Sequence, residues 1–297
     1  MPRRIDLHMH TTYSDGALTP IEIIDEAVKN GVGTISITDH DTIDAYTNEL
    51  YEYASCKNIK IISGVEMSTK SGKATIHVLG YGIDINNENL KDKLYNIRNS
   101  RHIYLHDVSK KLNELGYILN LEELDKVDSV TKAHIALDIV SNPKNHDKLL
   151  EVFGYIPNKG EFIETIMNLG CPGYVKKESI TPKDAAEIIR QAGGKVVLAH
   201  PVVYKYIQKL TDEEILNIVK EMNADGIEAN YIYVDTSGNK INEIDKWNEF
   251  AIQNNLFVTT GSDFHSKNSE HPEIGLINEN LNLDFTLLDK VIKDLSN

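Results

Sequence analysis

The stretch Arg4-Ile5-Asp6-Leu7-His8-Met9-His10 constrains this chain more than any other, because it reads as a strand carrying two histidines two positions apart. Side chains two apart on a strand share a face, so both imidazoles look one way while Leu7 and Met9 look the other. The polar turn Thr11-Thr12-Tyr13-Ser14-Asp15-Gly16 then brings the carboxylate of Asp15 back toward the strand's C-terminal end. The placement recurs. Gly33–Thr38 leads into Asp39-His40-Asp41, Lys60–Glu66 delivers Glu66, Ala74–Tyr81 carries His77, Lys195–Ala199 ends in His200-Pro201, and Leu256–Gly261 ends in Ser262-Asp263-Phe264-His265.

With Gly226–Ala229, these segments make seven expected strands. Helices are expected between them. Thr19 caps one that starts at Pro20 and stops at Gly31, and others cover Ile43–Lys57, Pro182–Ala192, Asp212–Met222, Lys240–Asn254 and Phe285–Leu295. Strands alternating with helices, with polar ligands gathered at the strand ends, give the pattern of an α/β fold of the β/α-barrel type whose site lies on the C-terminal face. An open doubly wound sheet fits less well. No Gly-rich dinucleotide turn follows the first strand, and the ligands come from nearly every strand rather than from one switch point.

The rhythm breaks between residues 87 and 181, where helices rich in Lys, Glu, Asn and Leu are expected at Leu90–Leu115, Leu121–Lys126, Ala133–Val140 and Glu161–Leu169. This reads as a helical insertion (87–181), either simple packing or a lid, in a catalytic barrel formed by residues 1–86 and 182–297.

Composition narrows the function. The 31 basic and 45 acidic side chains give a formal charge of −14, which argues against tracking a long duplex nucleic acid along a basic face. An anionic substrate needs local positive charge, which bound metal ions can supply. No apolar run is long enough to span a bilayer, and Met1-Pro2-Arg3-Arg4 passes directly into the first strand, so a cytoplasmic location without membrane contact is expected. Cys56 and Cys171 have no metal-binding spacing and form no disulfide framework.

Nine donors converge on one expected face: His8, His10, Asp15, His40, Glu66, His77, His200, Asp263 and His265. Singly, each has an ordinary structural explanation. Together they would repel one another without cations, which makes a site for two or three metals the economical account.

These residues resemble the motif set of the PHP-domain metal-dependent phosphoesterases, and the resemblance covers almost the whole chain. Within the insertion, Lys132-Ala133-His134-Ile135-Ala136 and Gly173-Tyr174-Val175-Lys176-Lys177-Glu178 are similar to motifs of the subgroup that acts on nucleoside 3′,5′-bisphosphates and short RNA 5′ ends. The resemblance implies a distorted seven-stranded barrel and a trinuclear site. One metal would take His8, His10, Glu66 and Asp263; a second Glu66, His77 and His200; a third Asp15, His40 and His265. Manganese is expected foremost, with zinc and iron also compatible with this thiolate-free set. Two positions depart from the subgroup. Lys132 stands where an arginine is usual, and Ala229-Asn230-Tyr231-Ile232-Tyr233 lacks a histidine often found there.

The expected chemistry is attack on phosphorus by a metal-bound hydroxide, with Asp15, His40, Glu66, Asp263 and His265 at the catalytic centre. Lys132, His134 and Lys177 would hold the phosphate of a small nucleotide or RNA end. Two classes of rival remain: other hydrolases, acting on a histidinol-phosphate-type or other small monoester or on carbon–nitrogen bonds, and a regulatory module that keeps metals without catalysis.

Overall fold

Residues 4–127, 130–176, 179–234, 238–267 and 271–277 are described by the computed structural model. Lys177 and the helix expected at Phe285–Leu295 lie outside the described residues. The chain forms two units, one made of residues up to Tyr95 with those from Ile180 onward, the other of Asn96–Ser179.

The first unit is mixed α/β. Strands β1 (Arg4–Asp6), β2 (Val32–Ile35) and β3 (Lys60–Ile61) pair in parallel in the order β1-β2-β3. Strands β4 (Gly64–Ser71), β5 (Ala74–Tyr81), β6 (Lys195–Leu198) and β7 (Gly226–Asn230) join a later strand, Phe257–Thr260, in a second sheet. Between them in sequence, β8 (Ile232–Val234) and β9 (Lys240–Asn242) form a separate antiparallel hairpin, so Phe257–Thr260 is β10. The five-stranded order is β10-β7-β6-β5-β4, antiparallel at β4–β5 and β5–β6 and parallel elsewhere.

Each of the seven expected strands has a counterpart, but regular pairing does not run from one sheet into the other. At one junction, the bonds beyond the ladders are Leu7 N to Thr260 O (3.0 Å), Asp263 N to His8 O (2.8 Å) and His10 N to Phe264 O (2.9 Å). At the other, Asp41 N bonds Glu66 O (2.9 Å) and Glu66 N bonds Asp39 O (3.3 Å). The interruptions coincide with bent backbone, since Asp41 and Asp263 both have positive φ (53° and 54°). Leu7, Leu79, Tyr81, Val197, Ala199 and Phe257 nevertheless pack in one buried cluster drawn from both sheets.

Local chemistry explains most element boundaries. The helices expected from Pro20 and Pro182 form (Pro20–Lys29 and Pro182–Gln191); Thr19 caps the first as foreseen and Thr181 caps the second, with a Glu22 or Asp184 carboxylate closing a reciprocal cap. The helix expected from Ile43 starts only at Asn48, because the Tyr46 hydroxyl donates to Ile37 O (2.6 Å), accepts from Gly64 N (2.6 Å) and fixes the preceding loop. Likewise the helix expected from Lys240 begins at Ile244, its first residues being taken by β9. The strand expected to end at Glu66 is split, and its second half continues to Ser71, which puts Glu66 inside β4. In the second unit, helices Lys132–Ser141, His146–Phe153 and Lys159–Phe162 and most of Glu88–Glu114 surround a core that includes Leu105, Val108, Leu112, Ile135, Ile139 and Phe162. Among the described residues, no helix is long and apolar enough to cross a membrane.

The cap at Thr181 gives a stability test. The Thr181 hydroxyl (2.7 Å) and its backbone N–H (2.8 Å) both donate to Asp184, and these bonds hold the carboxyl below its usual range. The stabilisation is therefore present at neutral pH and is lost as acid protonates Asp184. Thr181→Ala should cost about 1 kcal/mol in denaturant unfolding, and the deficit relative to wild type should shrink below the carboxylate range.

Candidate metal centre

Most of the metal-ligating residue types sit just beyond short strands, where the backbone bends and side chains from different strands can meet, while Glu66 lies within β4 and His77 within β5. His8 and His10 lie in the continuation of β1, bonded to the segment after β10. Gly16 is required in the next turn, because a Cβ there would overlap the His10 carbonyl. Asp39 ties that turn to the end of β2 by accepting from Thr11 N (2.7 Å), Thr11 Oγ1 (2.7 Å) and Ser14 Oγ (2.6 Å). Asp15 is thereby carried to the exposed edge of the cluster.

Four buried residues form its centre. His8 Nε2 and His10 Nε2 are 3.3 Å apart. Glu66 Oε2 lies 3.3 Å from the first and 3.1 Å from the second, and Asp263 Oδ1 lies 3.3 and 3.2 Å from them. A second face of Glu66 receives His77 Nδ1 (2.9 Å) and His200 Nε2 (3.1 Å) on Oε1. Toward the edge, Asp15 approaches His10 Nδ1 (3.5 Å), His265 Nε2 (3.5 Å) and His40 Nε2 (3.8 Å), while His40 Nδ1 stands 3.1 Å from Glu66 Oε2. All nine expected donors are thus brought together. His10, Asp15, His40 and His265 form one quartet that could hold an ion; His8, His10, Glu66 and Asp263 form another; His40, Glu66 and His77 form a triad.

The electrostatics match a site built for cations. Burial opposes charge on His10, but the Asp263 and Glu66 carboxylates beside it outweigh the burial and carry its imidazolium up to about 10. Burial would raise Glu66 and Asp263, yet the surrounding imidazoles hold both well below the carboxylate range. His40 goes the other way. Burial, reinforced by His10 and His77 against the pull of Glu66, lowers it to about 3. Glu66 Oε2 and His40 Nδ1, buried and facing one another, have no hydrogen-bond partner. Such orphaned donors are what a bound ion satisfies, and imidazole with carboxylate is a donor set for divalent transition metals. The residues present fit the metals that the motif resemblance implies.

Several residues of the site were not singled out in the sequence. Glu228, buried in β7, accepts from His8 Nδ1 and from the His200 backbone; its signal was an acid within the apolar run Gly226-Ile227-Glu228-Ala229. The Tyr231 hydroxyl donates to Asp263 Oδ2 (3.1 Å), and His271 Nδ1 lies 3.5 Å from the same oxygen. Asp6 is buried beneath the cluster, where desolvation raises its carboxyl to about 6 against hydrogen bonds from Gly275 and Ser262. Of the expected substrate residues, Lys132 and His134 open the Lys132–Ser141 helix of the second unit. Lys132 Nζ donates to Met167 O (3.0 Å) and Asn168 Oδ1 (3.3 Å), and exposed His134 accepts from Thr131 N (3.3 Å) as part of the helix cap.

A mixed α/β fold holding a buried cluster of histidines and carboxylates defines a metal-dependent hydrolase. The chain belongs to the PHP domain family, whose sequence model matches residues 6–194, and it is a phosphoester hydrolase. It is 28% identical over 275 residues to a 3′,5′-nucleoside bisphosphate phosphatase of Chromobacterium violaceum, covering 91% of this chain and 90% of that one. It is 31% identical over 264 residues to the 5′-3′ exoribonuclease Rnm of Escherichia coli, covering 88% and 84%. Among solved structures, a Chromobacterium violaceum protein described as an amidohydrolase with bound sulfate and no metal superposes with a TM-score of 0.62 at 26% identity, over 99% of this chain and 96% of that one.

Because His10 is held protonated by its carboxylate neighbours, binding an ion there must displace protons. Calorimetric titration of the metal-free protein with manganese at neutral pH, in buffers of different ionisation enthalpy, should show proton release. Affinity should fall steadily as pH is lowered, since imidazole ligates only when neutral. Binding without proton release would contradict this electrostatic account.

Proposed function

We propose that this protein hydrolyses phosphate esters of small nucleotides, such as nucleoside 3′,5′-bisphosphates, or of short RNA 5′ ends, with two to three divalent ions, manganese foremost. The observation that carries the reading is the bridging position of Glu66. One oxygen belongs to the His8, His10 and Asp263 group and the other meets His77 and His200. The first ion would be held by His8, His10, Glu66 and Asp263, the second by Glu66, His77 and His200, and the third by Asp15, His40 and His265. We also read the two sheets as arcs of one distorted seven-stranded barrel, a reading supported by the hydrogen bonds at both junctions and by the shared interior cluster.

Bound divalent cations would supply Lewis acidity, activating water near neutral pH and stabilising charge that develops on phosphoryl oxygens. The chain's own groups position the rest. Glu66 and Asp263, kept ionised by the imidazoles around them, hold the centre together. His40, depressed to about 3, stays neutral at physiological pH and presents a lone pair. Asp15, His40 and His265 form the more exposed rim, where a phosphate ester can approach. The reading is supported by the named relatives, a 3′,5′-nucleoside bisphosphate phosphatase and a 5′-3′ exoribonuclease, each matched over most of its length.

On the substrate side, Lys132, His134 and Lys177 are our candidates to contact phosphate, from the motifs they occupy in the 87–181 insertion, which we read as a lid on the catalytic 1–86 and 182–297 domain. A small ligand is favoured over a long duplex by the net charge of −14. Carbon–nitrogen bond hydrolysis is the second reading, favoured by the amidohydrolase description of one structural relative.

The products separate the two. The manganese-loaded protein should release inorganic phosphate from a nucleoside 3′,5′-bisphosphate, or mononucleotides from a 5′-phosphorylated oligoribonucleotide; turnover of amide substrates alone would contradict the proposal. Asp263→Asn should abolish most of the turnover with the fold retained. Lys132→Ala should lower kcat/KM by roughly 1–3 kcal/mol of transition-state binding without changing metal content. Since Lys132 also anchors Met167 and Asn168, Lys132→Arg is the control: it should keep activity while Lys132→Ala loses it.

A further inference from the structure

Glu228 is a fully buried carboxylate from the middle of β7, and its partners are two of the metal-ligating histidines. Both of its oxygens lie 3.1 Å from His8 Nδ1, and Oε2 also accepts the backbone N–H of His200 (2.9 Å). Neither bond uses a nitrogen that faces the centre. With Nδ1–H donated to Glu228, His8 would offer Nε2 to a bound ion on the side of Glu66 and Asp263, 3.3 Å from each.

Two further features show that the surroundings are built for this carboxylate. His200 has an unusual backbone conformation (φ 21°, ψ 63°), so its Nε2 reaches Glu66 from a bent main chain that the Glu228 bond holds in place. Gly261 borders the pair directly. A Cβ there would overlap both His8 Cβ and Glu228 Oε1, so the absence of a side chain makes room for the carboxylate against the imidazole.

We infer that Glu228 is a positioning residue of the metal centre: it fixes the tautomer and ring orientation of His8 and, through the same carboxylate, pins His200, aiming one ligand for each of two neighbouring ions. The inference rests on the metal reading proposed above. A buried carboxylate behind a ligating histidine locks its tautomer and raises its basicity, and losing such a partner weakens metal binding by about 10–100-fold.

The test uses the full chain, Glu228→Ala and Glu228→Gln, with zinc as a diamagnetic probe. Zinc affinity is measured by chelator competition, and the His8 Nδ1–H resonance is followed in zinc-loaded, ¹⁵N-histidine-labelled protein. Glu228→Ala should bind zinc about 10–100-fold more weakly and lose the exchange-protected Nδ1–H signal. Glu228→Gln, which retains an acceptor oxygen of the same reach, should keep that signal and recover most of the affinity. Wild-type affinity with an unchanged signal in Glu228→Ala would overturn the inference alone, as would a Glu228→Gln protein that folds but loses the signal. That second comparison stands even if Glu228→Ala does not fold. A wild-type chain that takes up no zinc or manganese would overturn the inference together with the metal reading.

Discussion

Five imidazoles crowd one buried carboxylate. His8, His10 and His40 stand 3.1–3.3 Å from Glu66 Oε2, and His77 and His200 stand 2.9–3.1 Å from Oε1. They come from the continuation of β1, the segment after β2, strand β5 and the turn after β6, so one side chain gathers most of the first unit's architecture. Burying so much ionisable surface is costly unless the groups are paired or hold ions. The buried hydrogen bonds around the cluster, including those of Asp39 and Asp6, supply the rigidity that keeps the donors facing one another.

That concentration explains why an acidic chain can serve an anionic substrate. The surplus of 14 negative charges is spread over the whole sequence, whereas the catalytic face draws its positive charge from what the histidines and carboxylates bind. The second unit is organised differently. It has its own apolar core, with Leu105, Leu112, Ile139 and Phe162 buried within it, and its helices are fixed by caps at Thr131 and Asn158.

Much of this was legible in the sequence because it depends on local rules. Thr19 before Pro20 marks one helix start and Pro182 marks another, and a histidine or acid at the end of most apolar runs marks the cluster. What escaped depends on the partner chosen in three dimensions. Lys240–Asn242 looked helical but pairs with Ile232–Val234, and the loop before Asn48 is held by a Tyr46 hydroxyl whose partners are 9 and 18 residues away. Glu228 looked like one acid among many, since only the fold reveals that it is buried against a histidine 220 positions earlier. Pairing between the sheets was equally hidden. Bends at Asp41 and Asp263 interrupt ladders that the apolar pattern alone would continue.

The central claim is that these donors exist to hold several ions around Glu66. Anomalous scattering at the manganese edge, from crystals grown with manganese, tests it directly. The account predicts two to three anomalous peaks (about three to four protein donors each), one among His8, His10, Glu66 and Asp263 and the others beside His77 and Asp15. Density for manganese elsewhere on the surface, with none among these side chains, would contradict it.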